Sequence, residues 1–156
     1  MRHSNYLILF ISLFLLAGCN KSYFIAELVI RNESGQDLFV ESSIESSSTN
    51  GVQTFMLRDG DGKFIAQSKR YPEDFGYMPL EKIVENAADA YVSIFTISES
   101  SGEKQLIHTW NYLDKDKEGH ELFNEKNLSK DGFHGLDGGN FQEMIFTILP
   151  DDIDNN

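Results

Sequence analysis

Short runs of β-branched and aromatic residues recur along this chain, each followed by a cluster of turn-forming residues. Such runs are typical of β-strands, because branched and aromatic side chains pack well on a pleated surface. Apolar and polar residues alternate in several of them, which places Phe24, Ala26, Leu28 and Ile30 on one face of an extended segment. The pattern predicts seven strands, at Tyr23–Arg31, Asp37–Glu45, Val52–Arg58, Lys63–Lys69, Ala90–Ser98, Lys104–Tyr112 and Phe141–Leu149.

A single segment has helical spacing. After Pro79, the apolar residues Leu80, Ile83, Val84 and Ala87 recur at the interval of one helix face. Parallel sheets would need further helices between successive strands, and the sequence shows no others. The prediction is therefore an all-β fold, an antiparallel two-sheet sandwich of the immunoglobulin-like or transthyretin-like kind with one short inserted helix.

The strand pattern stops between Leu113 and Asn140, where charged residues and glycines dominate. This composition predicts a long loop, and loops longer than about 12 to 15 residues without structure of their own are usually functional or disordered. We expect residues 23–150 to form the β-sandwich domain and residues 151–156 to form a mobile acidic tail. Four residues around Pro72 lack strand alternation and are predicted either to cap the core or to form a binding patch: Tyr71, Phe75, Tyr77 and Met78.

The first residues have the composition of an export signal. Arg2 stands in a short polar start, and an apolar run from Leu7 to Leu16 follows it. The run is shorter than the roughly 20 apolar residues that a membrane-spanning helix needs, and polar residues follow Cys19. Because Cys19 is the only cysteine, the chain cannot form an internal disulfide or a zinc site built on several cysteines.

The tetrapeptide Leu16-Ala17-Gly18-Cys19 resembles the lipobox of bacterial lipoproteins. This resemblance implies that residues 1–18 are a signal peptide, and that Cys19 becomes the first residue of the exported protein, with lipid on its thiol and an acyl chain such as palmitate on its amine. Residues 19–22 would then be a lipidated tether. Several acyl chains together hold a protein stably, whereas one alone binds reversibly. We therefore expect the membrane to be a partner through the acylated Cys19.

The residues after Cys19 indicate where in the cell envelope the protein would be located. In enterobacterial lipoproteins an Asp at the next position retains the protein at the inner membrane, and Asn20 stands there in this chain. In lipoproteins of Bacteroidota, acidic residues just after the cysteine direct export to the cell surface, and residues 20–23 include none. These resemblances imply an outer-membrane protein that faces the periplasm. Leu28–Gly35 and Phe146–Pro150 also resemble segments of small uncharacterised lipoproteins of Bacteroidota, which implies no activity.

A calcium-loop spacing occurs inside the predicted loop. Asp114, Asp116, Glu118, Gly119 and Glu125 match positions 1, 3, 5, 6 and 12 of the calcium-binding loop of an EF-hand. Alternate carboxylates on a curved segment can surround Ca²⁺, the glycine permits the bend, and the final Glu can supply two oxygens. Position 5 is more often Asp or Asn, and a strand pattern precedes the loop where an EF-hand has a helix. The alternative is a solvated charged loop.

Net charge and motifs limit the functional classes. A formal charge of −12 opposes binding to nucleic acid, because phosphate contacts require Lys and Arg. No nucleophile elbow, phosphate-binding loop or paired-histidine zinc motif occurs, so we expect no enzymatic activity, and no cofactor apart from the Ca²⁺ considered above. The leading hypothesis is a lipid-anchored, non-catalytic cell-envelope protein that presents a β-sandwich to a periplasmic or outer-membrane partner. The alternatives are a calcium- or carbohydrate-binding module and a hydrolase without a recognised motif.

Overall fold

The computed structural model describes residues 23–72, 77–98, 102–134 and 139–154, with the backbone alone for 132–134. Strands account for most of the regular structure in these ranges. In chain order they are β1 (Tyr23–Asn32), β2 (Leu38–Ser42), β3 (Gln53–Leu57), β4 (Gly62–Gln67), β5 (Tyr71–Pro72), β6 (Tyr91–Ile97), β7 (Lys104–Asn111), β8 (Ser129–His134) and β9 (Gly139–Ile148).

The strands form two sheets. The first sheet has the order β4-β1-β9-β8, with β5 also paired to β1, and the second has the order β3-β2-β6-β7. Neighbours run antiparallel except β1 and β9, which pair in parallel from Tyr23 with Gly139 to Asn32 with Ile148. The predicted all-β two-sheet sandwich with one short helix is confirmed. The parallel pair is compatible with that prediction, because β1 and β9 are joined through most of the chain and not by a short crossover.

Each sheet contributes one face to a single core. Alternate residues of β1 are fully buried, among them Leu28 and Ile30, and Trp110 from β7 is 1% exposed. The Trp110 ring meets the Phe146 ring of β9 edge to face, with 5.1 Å between ring centres. This contact joins the second sheet to the first across the middle of the sandwich.

The segment from Leu113 to Asn140 is not a long loop, and that prediction is wrong. It contains β8, which pairs antiparallel with β9, and its residues Leu122 and Phe123 are buried in the core. The sequence did not predict β8 because its residues are polar, and Ser129 and Lys130 are exposed at the edge of the sheet. Pairing with a neighbouring strand can stabilise such an edge strand despite poor strand propensity.

The predicted helix after Pro79 is present as one turn of 3₁₀ helix, Leu80–Lys82, followed by turns. The apolar spacing identified the buried face correctly, because Leu80, Ile83 and Val84 are all buried in the core. At the other end of the domain, Asp151–Asp154 form a short helical turn. Asp152 is joined to the domain by hydrogen bonds, so this part of the predicted tail packs on the sandwich.

Asn32 links the two sheets at the end of β1. Its side chain is fully buried, and its Nδ2 donates to the backbone oxygens of Gln36 at 2.8 Å and of Leu57 in β3 at 3.0 Å. Its Oδ1 accepts from the backbone N–H of Ser34 at 3.1 Å and from the Ser34 hydroxyl at 2.7 Å. One amide therefore forms four hydrogen bonds, three of them buried, in the turn that leads from the first sheet to the second.

Residues 1–22 lie outside the described residues, and with them the predicted signal peptide, the lipidation site Cys19 and the tether. Within the described residues, the helices are all too short or too polar to cross a membrane.

Candidate functional site

Four apolar side chains lie in one row across the outer face of the second sheet. The strand register pairs Phe39 with Met56 and with Phe95, and it pairs Phe95 with Leu106. The residues on either side of Phe39 in β2 are fully buried, so Phe39 points away from the core. Met56 is 50% exposed and Leu106 is 55% exposed, while the two aromatic rings between them are half-buried. We call Met56, Phe39, Phe95 and Leu106 the apolar row.

A lysine lies across the apolar row. Lys104 Nζ is 4.9 Å from the centre of the Phe39 ring and 5.9 Å from the centre of the Phe95 ring. At such distances the ring faces attract a cation. Lys104 also pairs in register with Ile97 of β6, which is 44% exposed and extends the apolar surface. The face thus combines exposed apolar groups with the positive charge of Lys104.

The next row of the same face is polar and internally bonded. The hydroxyl of Tyr91 donates to Glu41 Oε1 at 2.7 Å, and the hydroxyls of Ser93 and Thr109 lie 2.8 Å apart. The bond to Glu41, followed by burial, raises the pKa of Tyr91 above its ordinary value. These polar groups already form hydrogen bonds with one another. If a partner covered this face, most of the favourable free energy would therefore come from burial of the apolar row.

The aromatic residues near Pro72 serve the core instead of forming an exposed patch. Met78 is fully buried, and Tyr71 and Tyr77 pack partly buried against the core. Phe75 lies outside the described residues. Of the two roles predicted for this group, capping the core is the one that the described members fill.

Glu125, the last of the predicted calcium ligands, accepts hydrogen bonds from the domain itself. One carboxylate oxygen lies 2.6 Å from the Tyr77 hydroxyl, and the other accepts from the Leu80 backbone N–H at 2.8 Å. Lys130 Nζ lies 3.6 Å from the same carboxylate and 3.7 Å from the centre of the Tyr77 ring. This cluster connects the turn after Pro79, the 3₁₀ turn Glu125–Asn127 and the edge strand β8.

The cluster shifts the ionisation of both partners. Burial alone would raise the pKa of Glu125, but the bonds from Tyr77 and Leu80 and the charge of Lys130 outweigh it and leave that pKa below its ordinary value. Burial, together with the bond to Glu125, raises the pKa of Tyr77. Glu125 is therefore a carboxylate and Tyr77 a neutral donor across the physiological range.

The other predicted ligands are not gathered around Glu125. Asp114 lies 2.9 Å from Lys117, and Asp116 lies 3.3 Å from Lys115. Glu118 is exposed. Among the described residues, the structure contains no group of three or more His, Cys, Asp or Glu side chains placed to hold a metal ion. The calcium site remains a prediction.

Replacing Glu125 with Gln should lower stability at neutral pH and not at acidic pH. The folded-state pKa of Glu125 is below 4.5, so its ionised form stabilises the fold above that value and loses this effect as the pH falls through the folded-state pKa. We expect urea unfolding to show the variant less stable by about 1 kcal/mol at pH 7, and equal to wild type once Glu125 is protonated.

Glu118→Gln is the matched control, because Glu118 is an exposed member of the same predicted calcium loop. A deficit of Glu125→Gln that is as large in acid as at pH 7 would contradict the assigned charge effect. Calcium titration of the same three proteins tests the metal prediction directly, since wild type that binds no Ca²⁺ would refute it.

His120 is held by a carboxylate at the end of the domain. Its Nδ1 lies 2.8 Å from Asp152, and its ring stacks on Phe146 at 4.5 Å between centres. Asp152 also accepts from the Leu149 backbone N–H at 2.8 Å. An imidazole oriented by a carboxylate can act as a general base, and His108 and His120 line a shared cleft of about 220 Å³. The additional bond of Asp152 and the stacking on Phe146 also fasten the Asp151–Asp154 turn to the sandwich.

Sequence reasoning missed the apolar row, although part of its signal was present. Phe39 stands between two inward-facing residues, so alternation alone places an aromatic residue on the outer face of β2. Alternation cannot say that Met56, Phe95 and Leu106 share its row, because β2 pairs with β6, a strand distant in sequence, and a bulge shifts the register between β6 and β7.

A scan against models of protein families finds no matching model, and comparison with curated proteins finds no match. Among solved structures, catechol 1,2-dioxygenase from Acinetobacter sp. ADP1, inhibited by bound mercury, is similar with a TM-score of 0.32 and 13% sequence identity. The match covers 90% of this chain and 57% of that chain, so this chain spans little more than half the length of the enzyme. A likeness this weak carries no functional information.

Proposed function

We propose that the protein is a lipid-anchored, non-catalytic component of the cell envelope that docks a partner protein on the outer face of its second sheet. The observation that carries this proposal is the apolar row, which crosses every strand of that sheet. Its anchor is Cys19 and its location the outer membrane, on the periplasmic side, as the resemblance to lipoproteins implies.

Exposure of the apolar row in water is unfavourable, which supports a role in association. Burying apolar surface is the main driving force of protein association, and contiguous exposed apolar patches rimmed by polar groups mark interaction sites. Aromatic residues and methionine are enriched in interfaces, and Met56 can adapt its shape to a partner. The hydrogen-bonded polar row beside the apolar row would form part of the rim of such an interface.

Charge specifies the chemistry of the partner. Lys104 lies over the rings of Phe39 and Phe95, so a partner that covers the row must accommodate an ammonium group. A buried ammonium needs a carboxylate or a carbonyl to accept its hydrogen bonds. We therefore propose a partner surface with apolar side chains at its centre and an Asp or Glu opposite Lys104.

The two attachments would use different sheets. β1, which follows the predicted lipid attachment, belongs to the first sheet, and the apolar row belongs to the second. A tether at the start of β1 therefore leaves the outer face of the second sheet available to a protein in the periplasm. This arrangement is what the proposed function requires.

Photocrosslinking in intact cells tests the docking face. A benzophenone amino acid at position 106 should give one discrete adduct, whereas the same group at Leu113, which is 76% exposed and outside the face, should not. Lys104→Glu should reduce the adduct from position 106 at least about tenfold, because a like charge replaces the proposed pair. Mass spectrometry of the adduct should map the crosslink to an apolar segment of the partner that contains an acidic residue.

Three outcomes would contradict the proposal. Equal adducts from positions 106 and 113 would mean unspecific contact. An adduct that Lys104→Glu does not change would remove the proposed charge pair. An adduct with a second copy of this chain would assign the face to self-association, which sedimentation of the purified protein would confirm.

A further inference from the structure

A second surface, on the first sheet, lies where β1 begins. It is a cleft of about 530 Å³, lined on its apolar side by Tyr23, Ile25 and Phe141 and on its polar side mainly by the segment Gln67–Arg70. The rings of Tyr23 and Phe141 meet edge to face, 6.3 Å apart. The cleft is thus an aromatic pocket with two cationic residues on its rim.

The two cationic residues on this rim differ in how far they are available to bind an anion. Lys69 Nζ forms an ion pair with Glu85 at 2.9 Å, and this pairing raises the pKa of Lys69. Arg70 instead lies over the Tyr23 ring, with 4.5 Å from Cζ to the ring centre. The ion pairs among the described residues do not include Arg70. A guanidinium that stacks on a ring keeps its N–H edge available for an oxyanion.

The position of Tyr23 is fixed by close packing on β9. A Cβ atom at Gly139 would lie 2.6 Å from the Tyr23 ring, so the ring covers the glycine backbone directly. Tyr23 also pairs in register with Gly139. The platform on which Arg70 stacks is therefore set by the strand pairing, which prepares the cleft for a ligand before any ligand arrives.

The length of chain between Tyr23 and the predicted lipid determines what this cleft faces. Tyr23 follows Cys19 by four positions, and four extended residues span at most about 14 Å. A lipid on Cys19 would therefore hold the mouth of the cleft within roughly that distance of the headgroups. The formal charge of −12 makes an anionic membrane repel most of the protein, so the exposed Arg70 marks the side that can approach it.

We propose that this cleft binds the phosphate of an anionic phospholipid in the membrane that carries the protein. The Arg70 guanidinium donates to the phosphate oxygens, and Tyr23 lies at the interface between headgroups and acyl chains, where amphipathic rings are favoured. The inference rests on the proposed lipid anchor and adds an orientation to it. The first sheet's outer face turns toward the bilayer at the start of β1, and the apolar row remains available to a soluble partner.

Chemical modification of arginine tests the inference with an internal control. The full chain, purified from membranes, is reconstituted in nanodiscs of phosphatidylcholine with or without phosphatidylglycerol and treated with phenylglyoxal, and the modified peptides are quantified by mass spectrometry. Modification of Arg70 should be about tenfold slower with phosphatidylglycerol. Modification of Arg58, which is exposed and outside the cleft, should not change.

A variant tests whether the cleft itself binds the phosphate or whether Arg70 merely lies close to the membrane. Tyr23→Leu removes the stacking platform but keeps Arg70, and it should abolish most of the protection by phosphatidylglycerol while the protein stays in the nanodisc. Protection of Arg58 equal to that of Arg70, or none at either residue, would overturn the inference. Protection of Arg70 by inorganic phosphate in phosphatidylcholine nanodiscs would also overturn it, in favour of a soluble phosphate ligand.

Intact mass of the same sample reports whether Cys19 is acylated, which keeps the two proposals apart. Acylated protein without protection of Arg70 contradicts the cleft and leaves the anchor standing. Protection of Arg70 in protein that lacks acyl chains contradicts the anchor and leaves the cleft standing. If the protein does not enter nanodiscs, the same comparison with an excess of lipid vesicles decides the question for the cleft.

Discussion

Replacing Asn32 with alanine should destabilise the domain by on the order of 3 kcal/mol. The amide of Asn32 forms four hydrogen bonds, three of them buried, and one of these is to the backbone oxygen of Leu57 in the opposite sheet. Alanine supplies no replacement donor or acceptor, and water has little access because Asn32 is fully buried. Urea unfolding monitored by Trp110 fluorescence measures the change in the free energy of unfolding.

Asn111→Ala is the matched control, because Asn111 is exposed at the end of β7. We expect that variant to unfold within about 0.5 kcal/mol of wild type. If Asn32→Ala has the same free energy of unfolding as Asn111→Ala, the hydrogen bonds of Asn32 do not stabilise the domain as predicted. Asn32→Asp is a second probe: it places a carboxylate oxygen against the carbonyl oxygens of Gln36 and Leu57 in a buried site, so at neutral pH it should destabilise the domain at least as much as Asn32→Ala.

Replacing Cys19 with alanine should abolish incorporation of labelled palmitate and block cleavage of the leader. In the lipoproteins that the N-terminal residues resemble, the cysteine thiol receives the first lipid, and cleavage of the leader follows that step. Alanine has no thiol to receive that lipid, so the variant should keep residues 1–18 and be larger than the processed wild type. Metabolic labelling followed by gel electrophoresis measures both effects.

Ser22→Ala is the control for Cys19→Ala, since it changes the proposed tether and not the lipid attachment. It should be labelled and cleaved like wild type. Labelling of Cys19→Ala itself would show that the lipobox interpretation is wrong. Thermal unfolding of both proteins should match wild type if the β-sandwich folds independently of its anchor.

Local pattern predicted most of this fold. All seven predicted strands are present within a few residues, because a half-buried strand leaves its alternation in its own sequence, as Phe24, Ala26, Leu28 and Ile30 do in β1. The strand β8 had no such signal. Its residues gain their structure from the ladder with β9, and pairing across a sheet depends on where another strand lies.

For the candidate sites, too, local sequence pattern predicted only part of the arrangement. The predicted calcium loop depended on spacing alone, and the structure places Glu125 with Tyr77 and Lys130 instead of with Asp114. The apolar row could not be assembled from sequence, because it requires the register of three strand pairs at once. Spacing along the chain predicts which face a residue occupies, and only the folded sheet determines which residues are neighbours on that face.

The parallel pairing of β1 with β9 has a consequence for the order of events in the cell. β1 lies in the interior of its sheet between β4 and β9, and it can pair with β9 only after all of the strands between them have been synthesised. Pairings between distant segments form late and slowly. The first sheet therefore cannot be completed while β9 is still inside the ribosome.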